Sequence, residues 1–299
     1  MSWDNVNSFK LVLTNEECLK QAIPTNITSL QIESRNFEGS LSSLNIPKNI
    51  TKIIISNLID AIPYSILPSQ LELLEFIPHH TQKFPAINLY KLPRSLKLLI
   101  NVDRIDKPSF IGKLLSGKAC EVEDITFSAN FNESTETLSQ LMSVKSLRSI
   151  KFEKQTYSLS MSSYTSLVKL SLGQHFDKPI KVGDLPPNLK FLDLGRLCNS
   201  PIEIGALPVS LEELVMSFDW ELDIPIGMLP PQLQRLTLGS NFDKPIGKGV
   251  LPDSLKKLKL GLRFNSPIIL PPNLTHFSKY YFMTQTIDFP PSVIKRKFR

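Results

Sequence analysis

The chain has 299 residues, 41% of them hydrophobic, with a formal net charge of +6. No apolar run reaches the roughly 18 residues of a membrane span, and the first residues, Met1 to Asn7, lack the basic and apolar regions of a secretory leader. Three widely spaced cysteines, Cys18, Cys120 and Cys198, make neither a disulfide framework nor a metal site, so the expected setting is reducing and cytoplasmic.

Residues 1–22 read as an N-terminal cap. Phe9, Leu11 and Leu13 alternate as in a strand. Thr14-x-x-Glu17 fits a capping box for a short helix through Gln21.

From residue 23 onward a repeat takes over. Twenty-three prolines against twelve glycines is an unusual ratio. The prolines recur in Leu-Pro or Ile-Pro pairs followed by Leu-x-x-Leu-x-Leu. Leu185-Pro186 leads to Leu189, Leu192 and Leu194, and Leu207-Pro208, Leu229-Pro230 and Leu251-Pro252 repeat this at a spacing of 22 residues. The first apolar anchors are Ile27, Ile50, Leu71, Leu96, Val122, Leu147, Leu167, Leu189, Leu211, Leu233, Leu255, Leu274 and Val293, or thirteen units. Self-similarity at a fixed period marks a solenoid. Residues 23–299 are therefore expected to form one array.

Each unit has a physical reading. Proline fixes φ and cannot donate to a ladder, so it precedes a strand. The alternating Leu-x-Leu puts both leucines on one face and a variable residue on the other. A turn, often glycine, leads to a bulky slot: Phe176, Cys198, Trp220, Phe242, Phe264. Asp or Asn, Pro and Ile slots then follow, as in Asp177-Lys178-Pro179-Ile180. One unit cannot bury its own apolar side, so neighbours must stack into a shared core of short parallel strands. The predicted fold is a leucine-rich-repeat-like curved stack, with extended or 3₁₀ returns in the shorter units. Between Leu71 and Leu147 the anchor spacing rises to 25–26 residues, and Val122-x-x-Ile125-x-Phe127-x-x-Asn130 is an ordinary leucine-rich-repeat signature. Short helices are expected on the back of repeats near 97–147, over Ser109–Leu115 and Ser134–Met142.

Charge collects at the far end. Residues 252–299 hold nine Lys and Arg against Asp253 and Asp288, a local excess of seven, whereas residues 1–150 balance at fifteen of each sign. An electrostatic partner should dock on the C-terminal repeats.

The C-terminal repeats resemble the FNIP repeat, a leucine-rich-repeat variant abundant in social amoebae and amoeba-infecting giant viruses. The resemblance rests on Phe131-Asn132, on Phe264-Asn265-Ser266-Pro267-Ile268 and on the aspartate versions at Phe176 and Phe242, and it is strongest from about 165 to 270. It implies an interaction scaffold with no shared chemistry. Family members often join an F-box to the repeats, which implies target recruitment to ubiquitin ligases. With about 22 residues before the first repeat, no F-box is visible here.

No phosphate loop, serine elbow or paired-carboxylate motif is present, so a catalytic role is not expected. His79-His80 has no third ligand at sensible spacing and reads as a solvated loop pair. His175 reads as a turn residue, and Cys198 as a small core hydrophobe. The column Asp177, Asn199, Asp243, Asn265 fits turn side chains bonding local backbone amides better than calcium ligands. No cofactor or metal is expected. The sequons at Asn26, Asn49, Asn132 and Asn273 follow from repeat recurrence, three of them in one slot.

The best candidate surface is the concave strand face, with Lys169, Ser171, Phe191, Asp193, Glu213, Val215, Arg235, Thr237, Lys257 and Lys259 as its members. The expected function is a monomeric, non-catalytic protein–protein interaction scaffold. The alternative is a charge-driven binder of calmodulin, another acidic partner, nucleic acid or anionic lipid through residues 252–299. The segment Lys256–Phe264 has the composition of a calmodulin target, but it lies on a repeat strand, and such targets bind as helices.

Overall fold

The computed structural model describes residues 7–35, 37, 39–57, 62–77, 87–89, 91–102, 121–129, 131, 144–154, 158, 160–279 and 286–298. The chain divides into two compact units, Met1–Ile150 and Lys151–Arg299.

In the first unit the strands are β1 (Ser8–Leu13), β2 (Ser29–Ser34), β3 (Lys52–Ser56), β4 (Leu73–Ile77), β5 (Leu98–Val102) and β6 (Asp124–Phe127), each parallel to the next in chain order. Their pairing puts like positions of successive repeats side by side. Leu30, Ile53, Leu74, Leu99 and Ile125 form one buried column, and Leu11, Ile32, Ile55 and Phe76 form a second. The register shifts between Leu99 and Val102, where Asn101 takes a positive φ of 60° and its Nδ2 donates to the Phe76 carbonyl at 2.8 Å.

β1 therefore extends the repeat sheet into the segment read as a cap. The helix after it is a 3₁₀ turn over Glu16–Lys20. Its N-cap is Asn15, whose side chain accepts from the Cys18 amide, and not Thr14, which contacts the Cys18 thiol instead. Two further 3₁₀ turns, Leu41–Ser43 and Tyr64–Ile66, occupy returns of this unit. The expected back helices over Ser109–Leu115 and Ser134–Met142 lie outside the described residues. Among the described residues no helix is long and apolar enough to cross a membrane.

β7 (Ser149–Phe152) falls at the division between the units. The second unit contains β8 (Lys169–Ser171), β9 (Phe191–Asp193), β10 (Glu213–Val215), β11 (Arg235–Thr237), β12 (Lys257–Lys259), β13 (His276–Lys279) and β14 (Lys295–Phe298), again parallel in chain order. The anchors Leu189, Leu211, Leu233 and Leu255 are fully buried, as is the bulky column Phe176, Cys198, Trp220, Phe242 and Phe264. The described returns of this unit are built of turns and irregular backbone with neither α- nor 3₁₀-helix, and the Ile slot makes a second set of parallel bridges, Ile180 to Ile202 and Ile246 to Ile268. The unit is thus a leucine-rich-repeat-type β-solenoid with turns of about 22 residues.

Polar slots also lock repeat to repeat. In seven of the described repeats the residue two after the slot proline (Asn49, Ser95, Asn188, Ser210, Ser254, Asn273, Ser292) donates to carbonyls of the preceding repeat. Asn49 Nδ2 reaches Thr25 O and Ile27 O at 2.8 and 2.6 Å, and Ser210 Oγ reaches Pro187 O and Leu189 O at 2.9 and 2.8 Å. A carbonyl at a strand entrance needs a donor, and proline cannot supply one.

The Asp/Asn column works in the opposite sense, and here the local-turn expectation is corrected. Asp177 Oδ1 accepts from the Asn199 amide and the Ser200 hydroxyl, at 2.9 and 2.8 Å, in the following repeat. Asn199 Oδ1 accepts from the Glu221 amide, and Asp243 Oδ1 from the Asn265 and Ser266 amides. The column clasps one repeat to the next because stacked turns bring that neighbour as close as the local backbone. Desolvation pushes the Asp243 carboxyl up, but the bonds from Asn265 and Ser266 outweigh it and hold it below the usual carboxylate range. Asp177→Ala is expected to cost about 1 kcal/mol, one solvent-exposed clasp. Chemical denaturation with an unchanged midpoint would count against this role.

Candidate functional site

The strand face of the second unit carries two rows of side chains. In-register pairing sets Lys169, Phe191, Glu213, Arg235, Lys257 and His276 in one row, and Ser171, Asp193, Val215, Thr237, Lys259 and Ser278 in the other. All the face positions read from the sequence lie in these rows, each half-buried or exposed, while the residue between them in every strand is buried. The alternation is what a sheet with one face in the core produces.

The rows are not uniform. Asp193 Oδ1 accepts from the Gly195 amide at 2.9 Å, so this carboxylate fixes its own turn. Arg235 Nε donates to Glu213 Oε2 at 2.6 Å. Lys190 and Glu212 pair at 3.0 Å beside the first row. Lys169, Lys257 and Lys259 have no carboxylate within ion-pair distance among the described residues. The face thus shifts from acidic at β9–β10 to basic at β11–β13. A depression of about 290 Å³ opens over the basic part, lined by Glu213, Arg235, Thr237, Lys257, Lys259 and His276 among others. His276 Nδ1 lies 2.9 Å from Thr275 Oγ1.

The other candidates fall elsewhere. His79 and His80 lie outside the described residues, and His175 is exposed on a turn. Among the described residues no group of three His, Cys, Asp or Glu side chains is placed to hold a metal ion. In the shared sequon slot, Asn49 and Asn273 donate to carbonyls of the preceding repeat. Asn49 spends both amide hydrogens there, and a glycan on that nitrogen would remove one of them. Asn132 lies outside the described residues.

Cys198 is fully buried in the aromatic column. Burial pushes its thiol from an ordinary 9.0 up to about 11, against a smaller opposing effect of the Ser200 backbone bond. A pKa raised by folding gives stability that is present below the unfolded value and lost as pH rises through 9 towards 11. The effect amounts to about 2–3 kcal/mol. Cys198→Ala should therefore flatten the alkaline fall of the denaturation midpoint. Parallel slopes for the two proteins would contradict it.

Two features escape a reading of the sequence alone. Val182, Ile204 and Ile226 form an exposed apolar file on the returns, 61–66% accessible, signalled by their 22-residue recurrence. Ser217 is fully buried in the turn slot that is glycine in neighbouring repeats, and its hydroxyl donates to Arg196 O at 2.5 Å.

The repeats of this solenoid match a known family. Residues 176–219 and 223–263 fit the FNIP Repeat family model, so the chain carries FNIP repeats over those segments. No curated protein matches the chain. Among solved structures it is similar to that of CroV588, a circular LRR protein, at 25% identity and a TM-score of 0.71 over 92% of this chain. The chain spans 44% of the length of that protein.

Proposed function

We propose that this chain is a non-catalytic scaffold that binds a protein through the strand face of its second unit. One observation carries the reading. The return side spends its recurrent polar groups on clasps between repeats, whereas the strand face presents different side chains at each rung of a regular backbone. A stiff sheet with variable rungs about 4.8 Å apart suits recognition of another chain. The thiols of Cys18 and Cys198 are free, which supports a reducing, cytoplasmic setting. The repeat architecture itself calls for no second copy.

The test is selective disruption. Phe191→Glu with Val215→Arg should abolish capture of partners by cross-linking in the source cell while leaving the melting temperature nearly unchanged. Val182→Asp with Ile204→Asp on the returns should leave capture intact. Loss in the second variant but not the first would move the interaction surface off the strand face. A separate expectation concerns the basic rungs. Lys257→Glu with Lys259→Glu should fold normally, within about 0.5 kcal/mol, as surface changes do. Unfolding would mean that these lysines do not face solvent.

A further inference from the structure

We propose, resting on the scaffold reading, that the basic part of the strand face over β11–β13 takes a short, extended acidic segment of a partner protein, with carboxylates two residues apart. Lys257 and Lys259 stand on the same side of one strand, two residues apart, so their stems leave the sheet about 6–7 Å from each other. An extended peptide repeats its own side chains on one side at that same interval. Acid-x-acid laid along β12 therefore brings one carboxylate to each ammonium.

The surroundings favour this occupant. Neither lysine is neutralised by a carboxylate among the described residues, while the neighbouring Arg235 spends only its Nε on Glu213 and keeps further N–H donors. The flanking rungs, Thr237 on one side and Ser278 on the other, add hydroxyls in register with Lys259. His276 stands in register with Lys257 and lines the same depression. Thr275 Oγ1 gives its hydrogen to the Lys256 carbonyl and so accepts from His276 Nδ1–H, which leaves Nε2 of the neutral ring as an acceptor for a backbone N–H of the segment rather than a donor to its carboxylates. On the next strand the corresponding register positions are Lys295 and Lys297, so the sequence keeps the basic sign there.

Size and sign argue against the other polyanions. Three inter-strand steps of about 4.8 Å separate β12 from β9. A nucleic-acid duplex, whose major groove alone is about 12 Å wide, would lay phosphates over Glu213 and Asp193. Single strands gain much of their affinity by stacking bases on aromatic side chains, and the outward rows of β11–β13 present no Phe, Tyr or Trp and a single imidazole, His276. A bilayer recruits proteins through clusters of about 4–8 Lys or Arg, whereas here Arg235 is already paired with Glu213, and Asp193 and Glu213 share the face with Lys257 and Lys259.

Fluorescence anisotropy of the full chain tests the proposal. The probes are a labelled, otherwise neutral peptide with two Glu-x-Glu units, the same composition with its glutamates adjacent, and a Gln-x-Gln version. At about 50 mM salt the Glu-x-Glu peptide should bind at least about tenfold more tightly than either control, and Lys257→Glu with Lys259→Glu should weaken it by at least about tenfold. Lys178→Glu with Lys181→Glu, the same charge change on the returns, should leave it unaffected. If the first double variant does not fold, Lys257→Gln alone should still give a several-fold loss. Equal binding of the three peptides, or equal loss in the two double variants, overturns the proposal. So does tighter binding of a single-stranded oligonucleotide or of phosphatidylserine vesicles than of the Glu-x-Glu peptide. Should the peptide fail while cross-linked capture still depends on Phe191 and Val215, the scaffold reading survives and only the acidic occupant is lost. Should capture fail and the peptide bind, the reverse holds.

Discussion

Phe242→Ala is expected to lower stability by about 3–5 kcal/mol, as truncation of other buried aromatic side chains does. Phe242 is 1% accessible and stacks on Phe264 of the next repeat, ring centroids 5.9 Å apart and planes 13° from parallel. Its ring fills the space between strand and return within its own unit and touches the same slot of the next. Truncation therefore leaves a void that no single repeat can close by itself, and the loss spreads to neighbouring interfaces. Urea denaturation followed by circular dichroism reads the effect as a lower midpoint. Phe218→Ala supplies the contrast. That ring is 42% accessible and carries the Arg196 guanidinium 5.4 Å from its centroid, so its removal should cost well under half as much. A neutral Phe242→Ala would mean that the bulky slot is not the core and that the alignment of the repeats is wrong.

Much of this fold is legible in the sequence because its columns are its period. Leu189, Leu211, Leu233 and Leu255 recur every 22 residues and stand buried in line, and the Leu-x-Leu alternation fixes which side of each strand meets solvent. Lys169, Phe191, Glu213, Arg235 and Lys257 can thus be assigned to one face and one row without any coordinates. What fails is any reading that takes neighbours along the chain for neighbours in space. Local spacing assigns Asp177 to its own turn, although a residue 22 positions on lies as close. The same limit hides the Glu213–Arg235 and Lys190–Glu212 pairs, each 22 residues apart, and therefore the compensation of charge in the middle of the face. At the N-terminus Thr14 and Asn15 both suit a cap, and only backbone geometry selects Asn15.

Gly195→Ala is the second substitution for which a large effect is expected, about 3 kcal/mol or more. Gly195 has φ of +79°, a conformation that costs a residue with a side chain about 1–3 kcal/mol. An added Cβ would also stand 1.6 Å from the carbonyl oxygen of Gly173, the residue in the same slot of the preceding repeat. That carbonyl is backbone and cannot swing away like a side-chain end, so the two repeats would have to part or the turn be rebuilt. The slot itself does not forbid a side chain. Ser217 occupies it one repeat later, outside the positive-φ set, with its hydroxyl bonded to Arg196 O. A rebuilt turn in the Gly195→Ala variant would have to give up the present geometry, in which the Gly195 amide donates to Asp193 Oδ1. Gly183→Ala separates the two contributions. Gly183 has φ of +89° but nothing within 4 Å of an added Cβ, so only the dihedral penalty applies and a loss near the lower end, about 1 kcal/mol, is expected. Denaturation midpoints of the two variants measured side by side should differ clearly. If Gly195→Ala is no worse than Gly183→Ala, the turn relaxes to the Ser217 geometry at little cost, and the close approach of adjacent repeats is not what makes glycine necessary at residue 195.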